Sequence, residues 1–259
     1  MRFAGARVLV TGASSGIGAA AAVAFAEAGA TVGICARRED RLREVLEHCR
    51  RSSPGCCMWV VDLGDLGGIA AFAARAERDL DGVDVLVNNA GIPKRRSMAV
   101  ITPEEIESVM RTNFLSVVHL TSALLRGMLA RGDGRIVNVS SMGTRSAALN
   151  VGAYAASKAA LDLYTEALHL DLLGTGVTAQ LLVPGTTRTE LGNEREGNDP
   201  PHPAPDPSEP EDVAAALLAL LQTDDFEGFV RDDHAETALA KRSDPNRFLA
   251  MVRGRLAAR

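Results

Sequence analysis

Short apolar runs alternate along the chain with longer stretches of helical period, and each change of period is punctuated by glycine, proline or a capping residue. Residues 7 to 10 (RVLV) predict a strand, TGASSGIG at 11 to 18 a turn, and the alanine-rich stretch after it a helix stopped by Gly29. TVGICA, at 31 to 36, has the apolar continuity of a strand covered on both faces. The alternation continues with a polar helix from Glu39 to Arg51, the strand CMWVVDL, a helix over 67 to 80, and the strand VDVLVNNAG. Thr102-Pro103-Glu104-Glu105 is a capping box with proline at the first helical position, and it predicts one long helix to Arg131. The strand GRIVNVSS, a helix to Leu173 and the strand VTAQLLVPG follow. EDVAAALLALLQ and the basic RFLAMVRGRLAAR are the last two predicted helices.

Strands separated by single helices imply right-handed crossovers and a parallel sheet. The expected fold class is therefore α/β, a single-domain Rossmann arrangement over 1–259: a doubly wound parallel sheet with helices on both faces. In such sheets ligands sit at the carboxyl ends of the strands, and Gly12, Asn89, Ser141 and Pro184 all fall just after predicted strands. The segment 197 to 210, with six prolines, reads as a loop within this domain.

Composition narrows the function more than the fold. Hydrophobic residues make up 46% and charged residues 24%, which argues against wholesale disorder. The net charge of −5, with no basic stripe, points away from nucleic acid and toward a small-molecule substrate. The longest apolar runs, such as 213 to 221, are far shorter than the ~20 residues that span a bilayer, so no membrane span is expected. The first strand runs directly into the glycine loop and not into an apolar signal core, so no signal peptide is expected. Cys35, Cys49, Cys56 and Cys57 lack disulfide-framework spacing, and a reducing, cytoplasmic location is expected. His48, His119, His169, His202 and His234 have no metal-ligand spacing, and no metal is assigned.

Gly12, Gly16 and Gly18 stand between a strand and a helix, where backbone N–H groups can approach a pyrophosphate at the helix N-terminus. Ser14, Ser15 and Ile17 share that loop. Dinucleotide folds that prefer NAD carry an acid ~20 residues further on, but here Ala36 stands at that place, followed by Arg37 and Arg38. A guanidinium can take a 2′-phosphate bidentately, so NADP(H) is favoured over NAD(H). The alternative for the arginines is local pairing with Glu39 and Asp40.

Tyr154 and Lys158, at i and i+4, share one helix face. A unit charge 4 Å from the phenol at an effective dielectric constant near 20 contributes up to about 4 kcal/mol, about three pK units. The expectation is a hydroxyl lowered toward neutrality, able to exchange a proton with a carbonyl or alcohol oxygen. Ser141 can donate a hydrogen bond to the same oxygen. Tyr164 has Leu168 at i+4 and lacks this activation.

These stretches together resemble the short-chain dehydrogenase/reductase family from Arg7 to Thr189: TGASSGIG, Asp62 in VVDL, NNAG at 88 to 91, Asn113 in RTNF, Ser141 in NVSS, Tyr154 with Lys158, and Pro184-Gly185 followed by Thr189. The resemblance implies that Asp62, with Leu63, meets the adenine and that Asn89, Ala90 and Gly91 support the adenosine side. It also implies that Pro184, Gly185, Thr187 and Thr189 lie at the nicotinamide end. It picks Ser141 over Ser140 as the serine thirteen residues before the tyrosine. Asn113 would hold a water linking Lys158 to solvent, completing a catalytic set of Asn113, Ser141, Tyr154 and Lys158.

The implied activity is NADP(H)-dependent interconversion of a carbonyl and a secondary alcohol on a CH–OH group. The implied assembly is a homodimer or homotetramer packed through the helices at 104 to 131 and 154 to 173. A non-catalytic NADP(H) sensor would not need Ser141, Tyr154 and Lys158 together, and a sugar-nucleotide epimerase or dehydratase wants a longer substrate domain. Residues 190–210 fall where the family keeps its substrate lid, and 235–259 reads as a C-terminal helical extension in place of the family's usual closing strand. The basic run 93 to 97, with Arg145, is either a charged surface turn or a receiver for an acidic substrate.

Overall fold

The computed structural model describes residues 2–146, 148–193, 196–200 and 206–257, the side chains of 255–257 aside. Seven parallel strands form one sheet: β1 (Arg7–Thr11), β2 (Thr31–Ala36), β3 (Cys57–Val60), β4 (Val85–Asn88), β5 (Gly134–Val139), β6 (Val177–Val183) and β7 (Glu227–Phe229). Their spatial order is β3-β2-β1-β4-β5-β6-β7. The order reverses between β1 and β4, and there the chains leaving the strand ends diverge and open a crevice.

Alternating side chains of each strand feed two cores. On one face Val8, Val10, Ile34, Val85, Val87, Val137 and Val139 pack against α1 (Gly16–Glu27), α2 (Glu39–Ser52) and α7 (Pro210–Leu220). On the other face Leu9, Cys35, Leu86 and Ile136 meet α3 (Ile69–Leu80), α5 (Ser116–Arg131) and α6 (Gly152–Asp171). Burial on both faces is why these strands read as continuous apolar runs.

The capping box forms as the sequence predicts: the Glu105 N–H donates to the Thr102 hydroxyl at 3.3 Å and the Thr102 N–H to the Glu105 carboxylate at 3.0 Å. The helix it opens is not one rod. α4 (Pro103–Met110) passes through a π-helical turn, Arg111–Leu115, before α5 begins. By length and composition the whole 103–131 stretch could cross a membrane, but Leu120, Leu124 and Met128 pack into the sheet core.

Two further differences lie near the C-terminus. The tripeptide Glu227–Phe229 adds a seventh strand beside β6, so the closing strand expected to be missing is present. A helix α8 (Asp232–Ser243) then precedes α9 (Pro245–Ala257), so the helical extension starts three residues earlier than predicted; 258 and 259 lie outside the described residues.

Candidate active site

Thr11 ends β1 buried, and its hydroxyl organises the crevice by accepting from the N–H groups of Asn89 and Ala90, each at 3.0 Å. The Asn89 amide returns to the Thr11 carbonyl at 2.9 Å. The glycine loop is thereby stitched to the end of β4. Gly12, at φ +68°, lies so close that a Cβ there would stand 2.7 Å from the Ala90 Cα. Gly16, at φ +56°, would set a Cβ 2.7 Å from the Thr189 Cγ2. Glycine is required at both by conformation and by close approach.

The cleft over these strand ends has a volume of about 730 Å³. Its wall brings together Gly12, Ser14, Ser15, Gly16, Ile17, Arg37, Arg38, Asp62, Leu63, Asn89, Ala90, Gly91, Ser141, Tyr154, Lys158, Pro184, Gly185, Thr187 and Thr189. Two predicted site residues are not on the wall. Gly18 lies inside α1, where a Cβ would collide at 2.5 Å with the Asn89 amide and the Gly12 carbonyl, so its part is packing. Asn113 is fully buried behind the wall, in the π-helical turn. Its carboxamide accepts from the Ile92 N–H at 2.8 Å, and its Nδ2 donates to the Ile92 carbonyl at 3.1 Å and to the Ser157 hydroxyl at 3.0 Å. Ser157 donates in turn to the Tyr154 carbonyl at 2.7 Å. The extra backbone residue of a π turn aims Asn113 at this junction, a use such turns often have.

Ser140 and Ser141 diverge as β5 ends. Ser140 donates to the Asp162 carboxylate on the α6 face, while the Ser141 hydroxyl accepts from the Gly143 N–H at 3.0 Å and shares the cleft wall with Tyr154. Lys158 is buried, and its ammonium donates to the Val139 carbonyl at 2.8 Å. Burial pushes Lys158 down to about 8, against an upward pull from Asp162 one turn further along α6. Burial likewise raises Tyr154, with the Ser141 hydrogen bond pulling it down and Asp162 adding to the rise. The phenol is therefore raised and not lowered as expected, because a phenolate is costlier than a phenol in a water-poor wall.

The sequence reading missed the charge cluster beneath the pair. Arg145 donates to the Asp162 carboxylate at 2.5 Å, to the Thr144 hydroxyl at 2.8 Å and to Glu227 of β7. The basic run is not an exposed surface turn: Lys94 and Arg95 line the cleft. Arg95 is 7% exposed and donates to the carbonyls of Asn193 at 2.6 Å and Asp199 at 3.0 Å. Lys94 pairs with Glu105 at 2.7 Å and donates to the Gly197 carbonyl at 2.9 Å. This run grips the 190–210 segment, whose base is closed by the Thr187–Ser208 bridge. Within that segment 194, 195 and 201–205, His202 included, lie outside the described residues. The extension also reaches the site: His234 packs on Gly185, and Lys241 donates to the Thr144 carbonyl at 3.1 Å.

A seven-stranded doubly wound sheet with a glycine-lined crevice and a Ser-Tyr-Lys cluster at its strand ends is the architecture of a dinucleotide-binding α/β protein. A sequence profile described as short chain dehydrogenase matches residues 6–199, and the chain belongs to that family. It is 41% identical over 189 residues to an uncharacterized oxidoreductase of Mycobacterium tuberculosis, covering 71% of this chain and 55% of that one. It is 36% identical over 182 residues to the ketoacyl reductase HetN of Nostoc, covering 70% and 63%. The chain spans little more than half the length of the curated relatives it matches first. Among solved structures, a variant of the actinorhodin polyketide ketoreductase with NADPH is 31% identical at a TM-score of 0.75, covering 85% of this chain and 91% of that one. A short-chain dehydrogenase from Sphingobium yanoikuyae in complex with NADPH is 28% identical at a TM-score of 0.81, covering 98% and 95%.

Proposed function

We propose that the protein is an NADP(H)-dependent oxidoreductase that interconverts a carbonyl and a secondary alcohol, with Tyr154 as the general acid/base. The observation that carries this reading is the placement of Ser141, Tyr154 and Lys158 together on the wall of the glycine-lined cleft, with Lys158 one turn along the helix from Tyr154. The cleft fits a dinucleotide in its chemistry: Gly12 and Gly16 leave the backbone bare at the N-terminus of α1, and Arg37 and Arg38 stand at the end of β2. When bound, the nicotinamide supplies or accepts the hydride.

The chain's own residues then handle the proton and the oxygen. A phenol held above its usual range stays protonated at neutral pH, which suits Tyr154 to donate to a carbonyl oxygen as it gains charge. Ser141 donates a hydrogen bond to that oxygen, and Lys158 keeps a cation beside it. Asn113 holds the backbone around Ile92 and, through Ser157, the first turn of α6. The likeness to a ketoacyl reductase and to a polyketide ketoreductase supports a ketone substrate of the ketoacyl class. The segment 190–210 serves as a substrate lid, held by Arg95, and 235–259 as an extension backing the nicotinamide end. The exposed Leu163 and Leu170 on α6 support a homo-oligomer, and the free cysteines a reducing, cytoplasmic setting.

NADPH oxidation across a panel of ketones, β-ketoacyl thioesters included, tests the reading. Tyr154→Phe is expected to cut turnover by about 10²–10⁴-fold with NADPH binding retained. Turnover within a few-fold of wild type removes the role of the phenol, and NADPH binding without oxidation of any substrate favours a sensor.

A further inference from the structure

The Arg38 guanidinium, the group expected to meet a 2′-phosphate, already holds an anion. Its Nη1 donates to the Glu190 carboxylate at 2.5 Å, and its Nη2 to the hydroxyls of Ser15 at 2.7 Å and Ser14 at 3.1 Å. Arg41 adds a second guanidinium 3.7 Å from the other Glu190 oxygen. Glu190 comes from the far side of the cleft, one residue after the Thr189 that packs on Gly16. It thus bridges the start of the 190–210 segment to the end of β2. Ala36, where an acid would grip ribose hydroxyls, is apolar, and Glu190 brings a carboxylate to that neighbourhood from elsewhere in the chain.

We propose that Glu190 is a specificity-determining residue for the cofactor, an internal carboxylate that occupies the anion position on Arg38 and must leave before a 2′-phosphate can bind there. The inference rests on the dinucleotide reading given above. A phosphate of about two negative charges competes for the same N–H donors and is repelled by a carboxylate left in place. A ribose that ends in hydroxyls carries no such charge and can donate to Glu190. Arg38 and Arg41 hold the Glu190 carboxyl below its usual range, so the latch is anionic at neutral pH. Arg37, by contrast, carries no ion pair among the described residues and is free to meet a phosphate first. NADP(H) then binds more weakly than the two arginines would allow, and the same displacement releases the first turn of the segment over the cleft.

Calorimetric titration of the full chain with 2′,5′-ADP and with 5′-ADP tests this without turnover. The ratio of their dissociation constants reports the 2′-phosphate alone. In Glu190→Gln the preference for 2′,5′-ADP is expected to rise about tenfold over wild type, chiefly through tighter 2′,5′-ADP binding, with Arg38→Ala abolishing the gain. A preference for 2′,5′-ADP that is the same in both proteins within twofold overturns the latch while leaving the NADP reading standing. No preference for 2′,5′-ADP in either protein overturns both. Equal tightening of both ligands also overturns the proposal, because the carboxylate then acts on the cleft and not on the phosphate.

Discussion

The ammonium of Lys158 is bound to the carbonyl of Val139 at 2.8 Å, on the same cleft wall that carries Tyr154. A helix residue is thereby tied to the last residue of β5, fixing the first turns of α6 against the strand that Ser140 and Ser141 follow.

Lys158 titrates near 8 because burial disfavours its charged form, against 10.5 for an ordinary lysine. Two opposite pH trends follow. Ketone reduction is expected to decline as pH rises through about 8, when the cation beside the phenol is lost. Between about 8 and 10.5 the unfolded chain binds the extra proton, so the contribution of Lys158 to stability rises with pH over that window. Chemical denaturation of Lys158→Met beside wild type checks the second trend: the advantage of the variant narrows from pH 8 toward alkali. A constant difference contradicts the assignment.

Asp162 bears on the same titration from one turn further along. Its carboxylate is faced by Arg145, Ser140 and Lys158, and Arg145 is shared with Glu227. Asp162→Asn leaves Arg145 half-paired in a mostly buried place and is expected to cost about 3 kcal/mol in urea denaturation. It also removes the pull that raises Lys158, so the alkaline fall in reduction moves to lower pH. A less stable variant with an unmoved pH profile separates packing from electrostatics.

Asn113→Ala strips the partner from the half-buried Ile92 N–H and from the buried Ser157. An orphaned donor costs about 1–3 kcal/mol, and the loss of stability should be of that size. Turnover is expected to fall more than cofactor affinity, since Ser157 is tied to the Tyr154 backbone. A proportionate loss of both indicates general loosening of the cleft.

Gly16→Ala combines a left-handed backbone angle with a Cβ 2.7 Å from Thr189. The backbone penalty alone is about 1–2 kcal/mol. Displacing Thr189 pushes apart the two sides of the cleft, so NADPH affinity measured by titration should fall at least tenfold, with a small drop in melting temperature. Undiminished affinity contradicts the placement of the dinucleotide on this loop.

Most of the sheet was legible because buried parallel strands are continuous apolar runs, and the glycines, the Thr102 cap and the Tyr154–Lys158 spacing are local signals. β7 was not, because three residues beginning with Glu227 carry no period and form a strand only beside the exposed edge of β6. α8 was anticipated only as part of a helical extension from 235, because it has acids at its start and bases at its end but no buried face to mark its first turn. The π-helical turn at Asn113 was hidden because one extra residue leaves the helical pattern intact to the eye.

The sequence by itself determined the fold class, the glycine loop and the Tyr154–Lys158 pair, since each depends on neighbours within one or two turns; Asp62, Asn89 and Thr189 came from the family resemblance. The tertiary structure decided what holds and opposes them: Val139 on Lys158, Arg145 with Glu227 under Asp162, Arg95 gripping the 190–210 segment, and Glu190 on Arg38 across 152 positions of chain. It also reversed the expected titration of the phenol. Spacing along a helix gives proximity, but whether a charge or the loss of water prevails depends on how deeply the rest of the chain buries the pair.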